Sequence, residues 1–243
     1  MLKVLTYNIR HGKGLDDKVS LGRVAAVIAA SGADIVALQE VDGYSPRSGF
    51  RCQAVTLGRR LKMRPFFGAT LKAAGLPLFG NAVLTGLPVR GFKRWVLPGK
   101  GEQRGLIEVT VVDSGAKWSF LTTHLGLSIE ARSMQVGRII EVLNEITHPF
   151  ILTGDFNCLQ DADELAPLYA RVRDAALEID RTFATFPAGK PEERIDFVFV
   201  SPHWVVREVK RIDSEASDHL PVLALLEPVT ETGAEGIRNA RPG

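Results

Sequence analysis

The sequence predicts a single α/β domain whose chemistry gathers where strands end. Three observations carry this. Short, continuous apolar runs, the mark of strands covered on both faces, alternate with amphipathic stretches of helical period. Several of these runs stop on a polar or acidic residue. The two halves of the chain also echo each other: Val4-Leu5-Thr6-Tyr7-Asn8-Ile9 is similar to Phe120-Leu121-Thr122-Thr123-His124-Leu125. Each of these leads through a helix to a second strand ending on a carboxylate, Glu40 or Asp155, 32 and 31 residues after Asn8 and His124. A duplicated strand–helix–strand unit places Asn8, Glu40, His124 and Asp155 at equivalent strand ends, where binding sites of α/β proteins form.

The elements follow in order. Leu2 to Ile9 reads as a buried strand. A helix runs from Leu21 to Ala30, with Ser20 as N-cap and Gly32 beyond its end. Asp34 to Glu40 is the next strand. The basic run Arg59 to Arg64 reads as a solvated helix face. Strands are expected at Asn81 to Thr85, Val89 to Leu97, Gly105 to Val112 and Lys117 to Thr123. They are separated by Gly86-Leu87-Pro88, Pro98 to Gly101 and Asp113-Ser114-Gly115. A helix spans Ile129 to Ile146, with Val136, Ile139, Ile140 and Leu143 on one face. After it come the run Ile151 to Asp155 and two more strands, Ile195 to Val200 and Leu220 to Leu226. From Pro228 periodicity is lost, so residues 1–228 are expected to form the domain and 229–243 a mobile tail.

Composition bounds the function. The 243 residues are 45% hydrophobic with a formal net charge of +2, enough for a substantial core and too little charge to indicate nucleic acid by itself. The two cysteines cannot build a disulfide framework, which favours a reducing compartment. The first residues lead straight into a strand-like segment, unlike a signal peptide, and no apolar stretch reaches bilayer length. The expectation is a soluble, cytoplasmic protein. Its oligomeric state is not legible.

The candidate chemistry lies at the strand ends. Glu40 closes an apolar run, where a charge is costly unless it is paired with another residue or with metal. Asp155 and Asn157, in Gly154-Asp155-Phe156-Asn157, share a spacing that points both the same way, and Gly154 allows close backbone approach. Ser217-Asp218-His219-Leu220-Pro221 sets a carboxylate beside an imidazole, and Asp196 opens the strand before it. Asp, Glu and Asn oxygens suit Mg²⁺ or Mn²⁺, and two histidines among carboxylates supply proton transfer and hydrogen-bond donors. His-Glu-x-x-His, paired zinc cysteines, a Walker loop, a Rossmann fingerprint and Gly-x-Ser-x-Gly are all absent.

Thr6-Tyr7-Asn8, Leu38-Gln39-Glu40, Thr123-His124-Leu125, Gly154-Asp155-Phe156-Asn157, Arg194-Ile195-Asp196 and Ser217 to Pro221 together resemble the ordered signature of the endonuclease/exonuclease/phosphatase superfamily. That superfamily includes DNase I, abasic-site endonucleases, neutral sphingomyelinases and inositol polyphosphate 5-phosphatases. The resemblance runs from residue 6 to 221. It implies a four-layer α/β/β/α sandwich with two mixed β-sheets flanked by helices. It also implies Glu40 as the principal Mg²⁺ ligand, supported by Asn8, with Asp218 at or beside the metal. His219 becomes the catalytic histidine, oriented by Asp196. Asp155 and Asn157 orient water and phosphate, and His124 faces the phosphate. Whether His219 or Asp155 takes the proton stays open at this point.

Abasic-site endonucleases carry tyrosine where this chain has His124, which speaks against that activity. Arg104, before a strand, and Arg47, after the Glu40 strand, are each a candidate substrate contact or a surface turn arginine. The tract Thr182 to Pro187 either lines a pocket or packs. The leading expectation is a Mg²⁺- or Mn²⁺-dependent hydrolase of a small or lipid-like phosphodiester, by in-line attack of water. The alternatives are a DNase I-like nuclease and a catalytically silent binding protein on the same fold.

Overall fold

The structure is a computed structural model, and it describes residues 1–73, 75–113 and 115–229. Apart from residue 229, the tail expected at 229–243 lies outside the described residues. Two six-stranded sheets stack face to face. The first runs β11 (Trp204–Arg211), β12 (Val222–Pro228), β1 (Leu2–Asn8), β2 (Ile35–Asp42), β4 (Leu76–Thr85), β3 (Arg64–Ala73). The second runs β5 (Val89–Val96), β6 (Gly105–Asp113), β7 (Ala116–His124), β8 (Phe150–Asp155), β10 (Asp196–Val200), β9 (Arg173–Asp174). Both are mixed: β1 and β2 are parallel, as are β7 and β8, and the other pairs are antiparallel.

Three apolar clusters make the layers. Val4, Ile35, Ala37, Val109, Phe120 and Val198 meet between the sheets. Leu5, Tyr7, Val36 and Leu38 point the other way, toward α1 (Leu21–Ser31) and α2 (Gln53–Leu61). Leu121, Leu152, Phe197 and Phe199 pack under α3 (Ile129–Glu145) and α4 (Ala166–Tyr169). Strands β1, β2, β7 and β8 are thus covered on both faces, which is why they read as unbroken apolar runs. The expected α/β/β/α sandwich is what forms.

The two halves correspond in register. Asn8 pairs with Gln39 in the first sheet, and His124 with Asp155 in the second. The true counterpart of Asp155 is therefore Gln39, one residue before Glu40. A bulge accounts for the offset: pairing with β4 shifts between Leu38 and Val41, and Glu40 takes a left-handed φ of 55°. The extra residue re-aims Glu40 toward the strand ends. Gln39 instead turns into the sandwich, where its buried Nε2 donates to Thr6 Oγ1 at 3.1 Å and Thr122 Oγ1 at 2.8 Å, stitching the sheets together.

Several boundaries differ from expectation. The run Arg59 to Arg64 is not one helix face. Arg59 and Arg60 end α2, Lys62 caps it in a left-handed conformation, and Arg64 opens β3 with its guanidinium over the Phe66 ring. Edge strand β3 was hidden by its proline, glycine and basic residues, which edge strands tolerate. Strand β4 begins at Leu76, ahead of Asn81, and the charges of β11 mask its strand pattern in the sequence. The last strand starts at Val222 because Pro221 has no N–H to give the ladder. Ser20 occupies the N-cap of α1, yet its hydroxyl makes no capping bond, whereas Ser128 caps α3 by accepting from Ala131 N–H. No helix among the described residues is long and apolar enough to cross a membrane.

Candidate active site

Parallel strands β1, β2, β7 and β8 end where antiparallel β10 and β12 begin. One edge of the sandwich therefore collects Asn8, Glu40, His124, Asp155, Asp196 and the Ser217-Asp218-His219 loop. Sequence separations of up to 211 residues collapse to hydrogen-bond range there.

Asn8, fully buried, sits at the centre. Its amide nitrogen donates to Glu40 Oε1 at 3.1 Å and Asp155 Oδ2 at 2.9 Å, and lies 3.5 Å from His219 Nε2. The Arg10 backbone N–H donates to Asn8 Oδ1. That contact turns the amide so that Asn8 meets the carboxylates as a donor. Asp155 Oδ1 accepts the Asn157 N–H at 3.0 Å, and the Asn157 amide donates to Leu125 O at 2.9 Å. Gly154 is required twice over. Its φ is +146°, and a Cβ there would stand 2.1 Å from Thr123 O.

His219 and Asp196 form a buried pair, with Nδ1 at 2.9 Å from Asp196 Oδ2. Burial alone would lower this imidazole's pKa. The charge and hydrogen bond of Asp196, with Asp155 and Asp218 adding to them, outweigh it and hold the ring at about 10. One oxygen of Asp155, one of Asp196 and a ring nitrogen of His219 all lie within 4.8 Å of one another.

Glu40, like Asp218, is a partly exposed carboxylate of the group, and its pKa is raised by burial and by the charges of Asp155 and Asp218, against the hydrogen bond from Asn8. Three carboxylates facing one another call for positive charge. Arg10 supplies some, 3.2 Å from Asp218 Oδ2, and the oxygen-rich remainder suits a hard divalent cation.

The two candidate substrate arginines part ways. Arg104 is buried within the site, 3.1 Å from His124 Nδ1 and 2.9 Å from Glu102 Oε1. Arg47 makes a two-pronged ion pair with buried Asp42, at 2.7 to 3.0 Å, with its guanidinium over Phe79. That commitment anchors the loop after β2, a structural role the sequence could not separate from substrate contact.

Sequence reasoning missed Arg10, and it reached Thr185 only as part of the Thr182 to Pro187 tract. Arg10, basic and two residues past a strand-end Asn, carried a signal that went unread. Thr185 Oγ1 accepts from the backbone N–H of Ile195 and Asp196, while its carbonyl accepts from Leu220 N–H. Phe186 packs on the His219 ring with centroids 4.8 Å apart. The tract from Thr182 to Pro187 thus ties the Asp196 strand to the His219 loop.

This fold and this strand-end cluster define a hydrolase of phosphoric esters. The sequence profile of the Endonuclease/Exonuclease/phosphatase family matches residues 5–219, so the chain belongs to that family. No curated protein matches the sequence significantly. Among solved structures, an endonuclease/exonuclease/phosphatase from Beutenbergia cavernae is 27% identical, with a TM-score of 0.75 over 93% of this chain and 71% of that one. A Bacteroides vulgatus protein described in the same terms is 22% identical, with a TM-score of 0.79 over 94% of this chain and 99% of that one. The mannosyl-6-phosphatase Bt3783 of Bacteroides thetaiotaomicron is 20% identical, with a TM-score of 0.74 over 93% of this chain and all of that one.

Proposed function

We propose that the protein hydrolyses a small or lipid-like phosphodiester by in-line attack of water, using Mg²⁺ or Mn²⁺. The observation that carries this is the convergence of Glu40, Asp155 and Asp218 around Asn8, beside the His219–Asp196 pair. Glu40 would be the principal ligand, held in place by the Asn8 amide, and Asp218 would help to hold the cation. Bound there, the cation supplies positive charge to the phosphoryl oxygens. Asp155 and Asn157 orient the attacking water, and the Asp155 carboxylate takes its proton. His219, kept charged by Asp196, donates toward the phosphate and its leaving oxygen. His124 faces the same phosphate.

One feature supports a small or apolar substrate over a nucleic acid. Leu127, Ile129 and Leu159 stand 77%, 61% and 45% exposed on the stretches that leave β7 and β8 beside the site. The reading includes one catalytic domain over residues 1–228 and a reducing, cytoplasmic location, in keeping with the free Cys52 and Cys158.

A panel of phosphodiesters and phosphomonoesters, sugar phosphates included, tests this after EDTA treatment and on return of Mg²⁺ or Mn²⁺. The expected result is metal-restored diester cleavage with a shallow salt dependence. Activity that survives EDTA, preference for monoesters, or cleavage of plasmid DNA that falls steeply with salt would overturn it.

A further inference from the structure

The two histidines of the site are treated in opposite ways at the same ring atom. His219 Nδ1 faces a carboxylate, Asp196 Oδ2, which can only accept. His124 Nδ1 lies 3.1 Å from Arg104 Nη1, which can only donate. The lone pair of His124 Nδ1 must therefore face the guanidinium, and the ring proton must sit on Nε2. That nitrogen points to Asp155 Oδ2 at 3.4 Å, into the space shared with Asn8 and His219.

We propose that Arg104 is a positioning residue, locking His124 as the neutral Nε2–H tautomer so that it serves the phosphate as a hydrogen-bond donor and not as an acid or base. The seat of Arg104 is rigid. Its carbonyl accepts from Leu97 N–H and from the Gln103 amide, and the next carbonyl, Gly105 O, accepts from Asn81 and Thr123. Its Nη1 is held from the other side by Glu102. Electrostatics point the same way: burial first, then the charges of Arg104 and His219, overcome the pull of Asp155 and push the His124 ring down to about 4. One histidine is thus kept charged by an aspartate and the other neutral by an arginine.

The kinetic part of this inference rests on the proposed phosphodiester chemistry, while the tautomer does not. The test is ¹⁵N NMR of the full-length, Mg²⁺-loaded protein with labelled histidine. The chain has five histidines, and His124→Gln assigns the signal. The wild type should show protonated Nε2 and bare Nδ1 at His124, unchanged from about pH 5.5 to 8. Arg104→Met should release the ring to titrate or mix tautomers in that window. It should also lower kcat about tenfold or more, add an acidic limb to the pH profile and leave KM nearly unchanged. Arg104→Lys should recover part of both effects. A wild-type ring protonated on Nδ1, or doubly protonated at pH 7, overturns the proposal whether or not the Met variant folds. So does an unchanged His124 pattern in Arg104→Met with KM alone raised, which would make Arg104 a direct phosphate ligand.

Discussion

Replacing Asp196 with Asn removes one charge and keeps the shape. The aspartate sits 2.9 Å from His219 Nδ1, and with its neighbours it holds the ring at about 10. Against the ordinary value near 6.5, this shift is worth at most about 5 kcal/mol. A raised pKa stabilises the fold fully below the unfolded value. The contribution then declines above about pH 6.5 and is gone once the pH passes about 10. In metal-free protein, Asp196→Asn should therefore melt well below wild type at pH 6, and the gap should narrow by pH 10. Turnover should fall by about two to four orders of magnitude, because an amide no longer holds the imidazole charged and correctly turned. The assays are kcat on the best diester of the panel and thermal melts across pH. A variant with full turnover per folded molecule, or a melting gap independent of pH, would refute the reasoning.

Other perturbations have opposite or sharper signs. Glu40→Gln should raise the melting temperature in EDTA, because burial, Asp155 and Asp218 all oppose that charge, and it should abolish the stabilisation Mg²⁺ gives the wild type. A lower melt in EDTA than wild type would refute this. Gly154→Ala, facing Thr123 O at 2.1 Å with a φ of +146°, should cost about 3 kcal/mol or more in urea unfolding; a loss under about 1 kcal/mol would show that the backbone can yield. Deleting residues 230–243 should leave both melting temperature and kcat within error, and a large drop in either would show the segment belongs to the working domain.

The sequence by itself determined the architecture and most of the site's membership. Strands buried on both faces must be continuous apolar runs, so a polar residue at the end of one stands out. That is how Asp155, closing β8, and Asp196, opening β10, became legible; Glu40 stood out at the end of the same kind of apolar run, although the strand itself continues past it to Asp42. Tertiary structure alone decided what each group does with its neighbours. The bulge at Glu40 depends on pairing with β4, and it makes Gln39, not Glu40, the counterpart of Asp155. Arg47 and Arg104 looked alike in sequence; buried Asp42 claims the first and His124 the second. The charge on His219 and its absence on His124 follow from which residue, an aspartate 23 positions away or an arginine 20 positions away, folding brings to the same ring atom. Protonation is set by burial and by partners within a few ångströms, and these distances exist only once the two sheets have closed on each other.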